Sequence, residues 1–380
     1  MALVADLRRV LGAGRAKLDQ RAWAQRFQRQ VAESGLPEDI RTAIGVYSGL
    51  HPYSTRLALV KSRRDLPAAV TLVLPELQVN AIFAGIGTAL HIAASLANRT
   101  GRPLRVIALR NDVPLAGAAR DALRRAVVAR SGDVEAGIEL FGRESLATLE
   151  VGAADTWIVT HWTTAHAFEI ARRLGVIEPV ESLYLVQDYE PGFTAWSTDY
   201  ALARATYHDD LTLVVNSSPV ASYLAQVEGI EVDPRLVFRP HVELPEDAGV
   251  RSATDDPLTV FFYARPGKPR NLYALGVAAL RTVAEATQGW DRTVRFVSAG
   301  ESHPDVELRS GVRLESRGTL SWPDYFAELE RAHVTLSLQH SPHPSHPPLD
   351  AVARGGFAVT NEFGGVRAAL NPLRLATEPR

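Results

Sequence analysis

Val260-Phe261-Phe262-Tyr263-Ala264-Arg265-Pro266-Gly267-Lys268-Pro269-Arg270-Asn271 is the stretch on which the reading of the fold turns. Its first four residues form a continuous apolar run, the signature of a strand buried on both faces. Two prolines and a glycine end the run, and helical periodicity follows over about Leu272–Thr287. Arg265, Lys268 and Arg270 fall within six residues, between a strand's carboxyl end and a helix N-terminus. Guanidinium groups meet phosphate oxygens bidentately, and a helix N-terminus adds a fixed positive end. The expected ligand is therefore an anion, and the plainer alternative is a solvated turn.

The same strand–helix alternation extends in both directions. Upstream strands are predicted at Thr71–Leu74, Leu104–Leu109, Thr156–Thr160, Leu183–Val186 and Leu211–Val215, with helices at about Thr88–Thr100 and Thr164–Leu174. Downstream strands are predicted at Val294–Ser298, Val334–Leu338 and Phe357–Thr360, with helices at about Trp322–Arg331 and Leu349–Arg354. Residues 237–257, rich in Pro, Glu and Asp, interrupt the pattern and read as a hinge. The expectation is an α/β chain of two doubly wound, Rossmann-like domains facing across a cleft, with ligands at the carboxyl ends of the strands. The predicted divisions are an N-terminal helical segment over 1–65, a first domain over 66–245 and a second over 246–380.

Composition narrows the function. The chain has 380 residues, 46% hydrophobic and 22% charged, with 41 basic and 43 acidic side chains. A net charge of -2 gives no global reason to bind nucleic acid. There is no cysteine, which removes disulfides, thiolate metal sites and cysteine nucleophiles and is in keeping with a cytoplasmic protein. No run of 18 apolar residues occurs, and Asp6, Arg8 and Arg9 interrupt the only early apolar stretch, so neither a transmembrane helix nor a signal peptide is predicted. Residues 1–30 carry seven basic and two acidic side chains. Leu3, Leu7 and Leu11, then Trp23, Phe27 and Val31, recur at helical spacing. This stripe either packs on the body of the protein or rests on an anionic membrane surface as a peripheral contact at its inner face.

Three further stretches bear chemistry. His340-Ser341-Pro342-His343-Pro344-Ser345-His346-Pro347-Pro348-Leu349-Asp350 follows a strand and leads into a helix, with proline suited to the first turn. Its histidines are read as neutral donors to phosphate or sugar, because the intervening prolines restrict the chain and no carboxylate cluster completes a metal shell. Ser345, His346 and Asp350 are the binding candidates here. Thr160-His161-Trp162 and Gln187-Asp188-Tyr189-Glu190-Pro191-Gly192 each end a strand. His161 is then either a hydrogen-bonded structural residue or a site residue. Asp188 and Glu190 share the spacing of a metal-binding Asp-x-Asp, but that motif belongs to a single-sheet architecture, so no metal is expected. The Ala84-Gly85-Ile86-Gly87 stretch reads as a loop whose glycines let a ligand approach a helix N-terminus. It lacks the third glycine of the dinucleotide fingerprint, and neither a Gly-x-x-x-x-Gly-Lys-Ser/Thr loop nor a Gly-x-Ser-x-Gly elbow occurs.

Arg265-x4-Arg270 resembles the diphosphate clamp of GT-B retaining glycosyltransferases of family 4. Pro348-Leu349-Asp350-Ala351-Val352-Ala353 followed by Gly355-Gly356-Phe357-Ala358-Val359-Thr360-Asn361 resembles that family's ribose-binding acid, helix, glycine and strand. Val186-Gln187-Asp188-Tyr189-Glu190-Pro191, Ser341-Pro342-His343-Pro344-Ser345-His346-Pro347-Pro348-Leu349 and Gly318-Thr319-Leu320-Ser321-x3-Tyr325 are similar to the WsaF-type rhamnosyltransferases, over about residues 70–365. Pro342 stands where family 4 enzymes usually carry a Glu, Asp350 where Glu is commoner and Arg270 where Lys is commoner. The chain also ends soon after Thr360, short of the C-terminal helices of GT-B enzymes, which implies an abbreviated second domain.

The resemblance implies a metal-independent retaining transferase that moves L-rhamnose from dTDP-L-rhamnose to a glycan or lipid-linked acceptor in surface polysaccharide synthesis, with no cofactor. Arg265, Lys268 and Arg270 would hold the diphosphate, Asp350 the donor pentose, and backbone groups near Gly318 and Leu320 the base. His161, Asp188 and Glu190 would face the transferring sugar or the acceptor. A GT-B nucleotide-sugar epimerase and a non-catalytic nucleotide- or glycan-binding module are the alternatives.

Overall fold

The computed structural model describes residues 22–367 except 83, 179, 180, 240, 241, 243, 246–256 and 344, together with 375–377. Leu3, Leu7 and Leu11 and most of the predicted hinge lie outside the described residues. By its contacts the chain divides into two units, residues 1–184 with 201–212 and residues 185–200 with 213–380.

The first unit begins with helix α1 (residues 22–33) and α2 (Glu38–Ser48). Trp23, Phe27 and Val31 are buried with Ile44, Ala58 and Leu59, so this part of the apolar stripe packs inward. The Arg56 guanidinium lies between Trp23 and Tyr53, 4.1 and 4.4 Å from their ring centroids, and burial lowers its pKa to about 10. Strands β1 (Lys61–Arg63), β2 (Val70–Leu74), β3 (Leu104–Ala108), β4 (Ile138–Phe141), β5 (Glu150–Gly152), β6 (Thr156–Val159) and β7 (Glu181–Val186) follow. Within this unit β4, β3, β2, β6 and β7 lie side by side and parallel, while β1 pairs with β5. All five residues of β2 and of β3 are buried; the apolar ones pack in the core, and Thr71 and Arg105 pair with the buried Asp155. Helices α3 (Ala84–Thr100), α4 (Ala118–Ser131) and α5 (Trp162–Arg173) connect the strands.

Gly85 and Gly87 are therefore not in a loop. They occupy the first turn of α3, which starts four residues before the predicted Thr88. The buried face made by Ala89, Leu90, Ala93, Ala94 and Ala97 outweighs the poor helix propensity of the glycines.

After α6 (Thr198–Ala205), the second unit holds strands β8 (Thr212–Asn216, from Leu213 on) and β9 (Val237–Phe238), which pair in parallel, and α7 (Ser218–Glu228). Its main sheet comprises β10 (Leu258–Ala264), β11 (Val294–Gly300), β12 (Val306–Arg309), β13 (Val312–Ser316), β14 (Val334–Leu336), β15 (Phe357–Asn361) and β16 (Leu375–Thr377). The order is β12-β13-β11-β10-β14-β15-β16, parallel except for the β12–β13 pair. Successive residues of β10 go to opposite faces. Phe262 joins Val277, Leu280, Phe296, Leu314 and Leu336 beneath α8 (Tyr273–Ala286). Phe261 joins Tyr325, Leu329, Ala351 and Ala358 beneath α9 (Trp322–Arg331) and α10 (Pro347–Ala353). Two covered faces make this a doubly wound sheet. No helix among the described residues is long and apolar enough to cross a membrane.

Candidate anion and sugar site of the second unit

Strand β10 pairs with β11 on one side and β14 on the other, so the chain reverses its direction of winding at β10. Ligands of open α/β sheets bind at the carboxyl ends on either side of such a reversal. The loop after β10 carries Arg265, Lys268 and Arg270, and the loop after β14 carries Gln339 to His346. The two loops touch: the His340 amide donates to the Arg270 carbonyl at 2.6 Å, and Asn271 Nδ2 donates to Gln339 Oε1 at 3.3 Å. Leu272, at φ 49°, turns the first loop into α8.

Arg270 is half-buried, and its guanidinium rests on the Phe193 ring at 4.1 Å. Burial lowers its pKa, Asp188 and Glu190 act in the opposite direction, and Arg265 adds to the lowering. The Arg270 Nε is buried and makes no hydrogen bond among the described residues. Arg265 stands 3.8 Å from Glu301, whose other oxygen accepts the Gly267 amide at 2.6 Å. Lys268 is exposed. Among the described residues, no group of three or more His, Asp or Glu could hold a metal ion.

Asp188 is buried and ties the Gln187–Gly192 stretch to the loop after β14. Its Oδ1 accepts from the Tyr189 amide at 2.9 Å, the His343 amide at 3.4 Å and the Ser341 hydroxyl. Its Oδ2 accepts from Gln339 Nε2 at 3.5 Å. Burial raises its pKa, and the Ser341 hydroxyl is the largest counterweight. His343 is buried, and burial, with His346 and Arg367 nearby, pushes its pKa down to about 3. Its Nδ1 accepts the Ser345 amide at 3.0 Å, which leaves the neutral ring with its proton on Nε2. Ser345 adopts φ 66°, and the His346 ring lies 6.3 Å from that of His343.

The other predicted residues are distributed as follows. Asp350 falls in the first turn of α10 as expected, but it is only 3% exposed, and its Oδ2 accepts the Tyr325 hydroxyl at 3.1 Å. Gly318, at φ 67°, accepts the Gly300 amide through its carbonyl at 3.0 Å, and Leu320 packs toward Tyr325 and Phe326. Glu190 starts a short helical turn, Glu190–Phe193, and is buried. In the first unit, His161 caps α5: its Nδ1 accepts the Thr163 amide at 3.2 Å, and its own amide donates to Thr164 Oγ1 at 3.1 Å. The sequence reading missed Phe193 and Gln339, and it named His343 only as one of the three neutral histidines of its stretch. Only Gln339 carried a local signal, as an amide directly past a strand's carboxyl end.

Residues 69–218 match the family described as the N-terminal domain of WsaF, and residues 258–375 match its C-terminal domain. The O-antigen biosynthesis protein RfbC of Myxococcus xanthus is 30% identical over 244 residues, 61% of this chain and 18% of that protein. The chain thus spans less than a fifth of the length of this relative. Among solved structures, sucrose-phosphate synthase from Thermosynechococcus elongatus superimposes with a TM-score of 0.50 at 13% identity, over 83% of this chain and 86% of that one. A UDP-forming alpha,alpha-trehalose-phosphate synthase from Burkholderia vietnamiensis gives 0.50 at 12% identity, over 82% and 88%. At these identities the likeness speaks for the fold, which is GT-B. Two matched family domains on this fold place the chain among the WsaF-type GT-B glycosyltransferases.

Proposed function

We propose that this chain transfers a deoxyhexose, L-rhamnose, from a dTDP-linked donor to a growing surface polysaccharide, with retention of configuration. The observation that carries the reading is Arg270: a partly desolvated guanidinium with an unpaired buried Nε, beside Arg265, at the winding reversal of the sheet. Such a cation has its electrostatic strength raised by burial and a hydrogen bond still to make. A donor diphosphate supplies both the charge and the oxygens. As the sugar–phosphate bond breaks, negative charge grows on the leaving diphosphate, and Arg265, Arg270 and Lys268 stabilise it more in the transition state than in the ground state. No metal enters this account. Asp188 acts as a positioning residue, holding the loop after β14 through four donors. The name of the Myxococcus xanthus relative supports surface polysaccharide as the product.

A thermal-shift panel of dTDP, UDP and GDP tests the reading. At 100 times its dissociation constant a bound ligand adds about 2.7 kcal/mol. The expected result is stabilisation, largest with dTDP and unchanged by EDTA, followed by transfer of labelled rhamnose to an oligosaccharide acceptor. Indifference to all three nucleotides contradicts it.

A further inference from the structure

We propose that Trp196 and Tyr200 form a stacking platform for a sugar ring of the acceptor glycan, an inference that rests on the glycosyltransferase reading above. Trp196 is 91% exposed, more than any other large hydrophobic side chain described. A single exposed apolar side chain is ordinary on a protein surface, so the proposal rests on the aromatic pair that Trp196 makes and on its neighbours. It has an aromatic partner. The Trp196 and Tyr200 rings lie parallel, at 5.5 Å between centroids and 9° between planes, and the indole keeps nearly all of its surface open. Tyr200 is itself fixed. Its amide donates to Ser197 Oγ at 3.2 Å, and its hydroxyl is hydrogen-bonded to Tyr189, whose own hydroxyl donates to Glu228 Oε1 at 2.7 Å. Tyr200 is thus preorganised, and a ligand that lands on the pair orders only the indole.

The chemistry of the surrounding residues selects the ligand class. A pyranose presents one face of C–H bonds, weakly positive, which complements the negative face of an aromatic ring. Its rim of hydroxyls needs donors and acceptors close by. The stretch Thr194-Ala195-Trp196-Ser197-Thr198-Asp199-Tyr200 carries the exposed hydroxyls of Ser197 and Thr198 and the Asp199 carboxylate beside the indole in sequence, and no cation, while the Thr194 hydroxyl is buried. A membrane-seeking surface would combine the ring with apolar neighbours and with Lys or Arg. A docking face for a second protein would extend over a contiguous apolar patch. Neither is present in this stretch. The platform is also continuous in sequence with the site, because Phe193, three residues earlier, carries the Arg270 guanidinium.

The test uses the intact chain labelled with 5-fluorotryptophan, in which Trp196→Phe identifies the Trp196 resonance among six. Rhamnotriose, mannotriose and maltotriose are titrated in turn, with dTDP in parallel and with vesicles of phosphatidylglycerol as a control. The expected result is a saturable shift of the Trp196 resonance with at least one trisaccharide. Saturation transfer to the bound sugar's protons should fall at least tenfold in Trp196→Ala and survive within about threefold in Trp196→Phe, with dTDP affinity unchanged in both variants. The proposal is overturned if no trisaccharide moves the resonance, if Trp196→Ala binds sugar like the parent chain, or if vesicles or protein concentration alone move it. Intact dTDP binding in those cases confines the failure to the platform, whereas loss of dTDP binding by the parent chain removes the enzyme reading itself.

Discussion

The Asp188 carboxylate accepts a hydrogen bond from the Ser341 hydroxyl, a contact between residues 153 positions apart. Through that contact the stretch following β7 and the loop following β14 become one piece of structure. The Tyr189 and His343 amides and the Gln339 side chain converge on the same two oxygens.

Removing the Asp188 side chain should therefore be felt as instability before it is felt as chemistry. Asp188→Ala strands four donors in a buried site, and each unsatisfied donor costs about 1–3 kcal/mol. Asp188→Asn keeps the shape and one acceptor oxygen, so the loss should be smaller. Denaturant unfolding of the three proteins is the measurement. A loss below about 1 kcal/mol in Asp188→Ala shows that the network does not brace the loop.

Acid should destabilise the fold through two histidines. Burial pushes His343 down to about 3 and His166 to about 4, from an ordinary 6.5. His343 faces His346 and Arg367, and His166 faces His51, Arg173 and Glu169. Both folded values are depressed, so their contribution is fully present above pH 6.5. It is lost as pH falls from there to about 4 for His166 and about 3 for His343, at up to about 1.4 kcal/mol per pH unit for each ring. Asp188, whose pKa is raised, works in the opposite sense, stabilising most at low pH. Melting temperatures from pH 7 to pH 4 should fall in the parent chain and fall less in His343→Gln and His166→Gln. Equal slopes in all three contradict the assignment.

Gly276→Ala is a test of the packing that carries the clamp. Alanine gains up to about 1 kcal/mol of helix propensity over glycine. A Cβ at this position, however, would lie 2.2 Å from Phe262 Cζ and 2.6 Å from Cε2, in the core between α8 and β10. The ring cannot withdraw from a filled core, so overpacking of about 1–3 kcal/mol should win. A net gain in melting temperature contradicts that packing.

The fold was legible where an element is decided locally. The apolar run of β10, broken by Pro266 and Pro269, marks a buried strand and its end, and α9 runs from Trp322 to Arg331 as its periodicity predicts. Proline at the start of α10 marked its first turn. The start of α3 was not legible, because glycines suited to a loop are overruled by the buried face that follows them. The β12–β13 pair, two short strands turning at Gly311, gives too few alternations to stand out. Within the site, the position of Arg265 and Arg270 between a strand's carboxyl end and a helix was legible in the sequence. The roles of Phe193 and Gln339 were not, because each depends on a partner from a distant part of the chain, Arg270 for the one and Asp188 for the other. His161 reads from sequence as either structural or functional, and in the structure its Nδ1 serves the α5 cap.

The central claim is that Arg270 and Arg265 await a diphosphate, and titration calorimetry of dTDP into the parent chain, Arg270→Ala, Arg265→Ala and Arg270→Lys measures it most directly. The account predicts one-to-one binding by the parent chain in the presence of EDTA. It predicts at least tenfold weaker binding by each alanine variant, equivalent to about 1.4 kcal/mol or more, and partial recovery in Arg270→Lys, which keeps the charge and loses the fork. No binding of dTDP, UDP or GDP by the parent chain, or equal affinity across the four proteins, would contradict it.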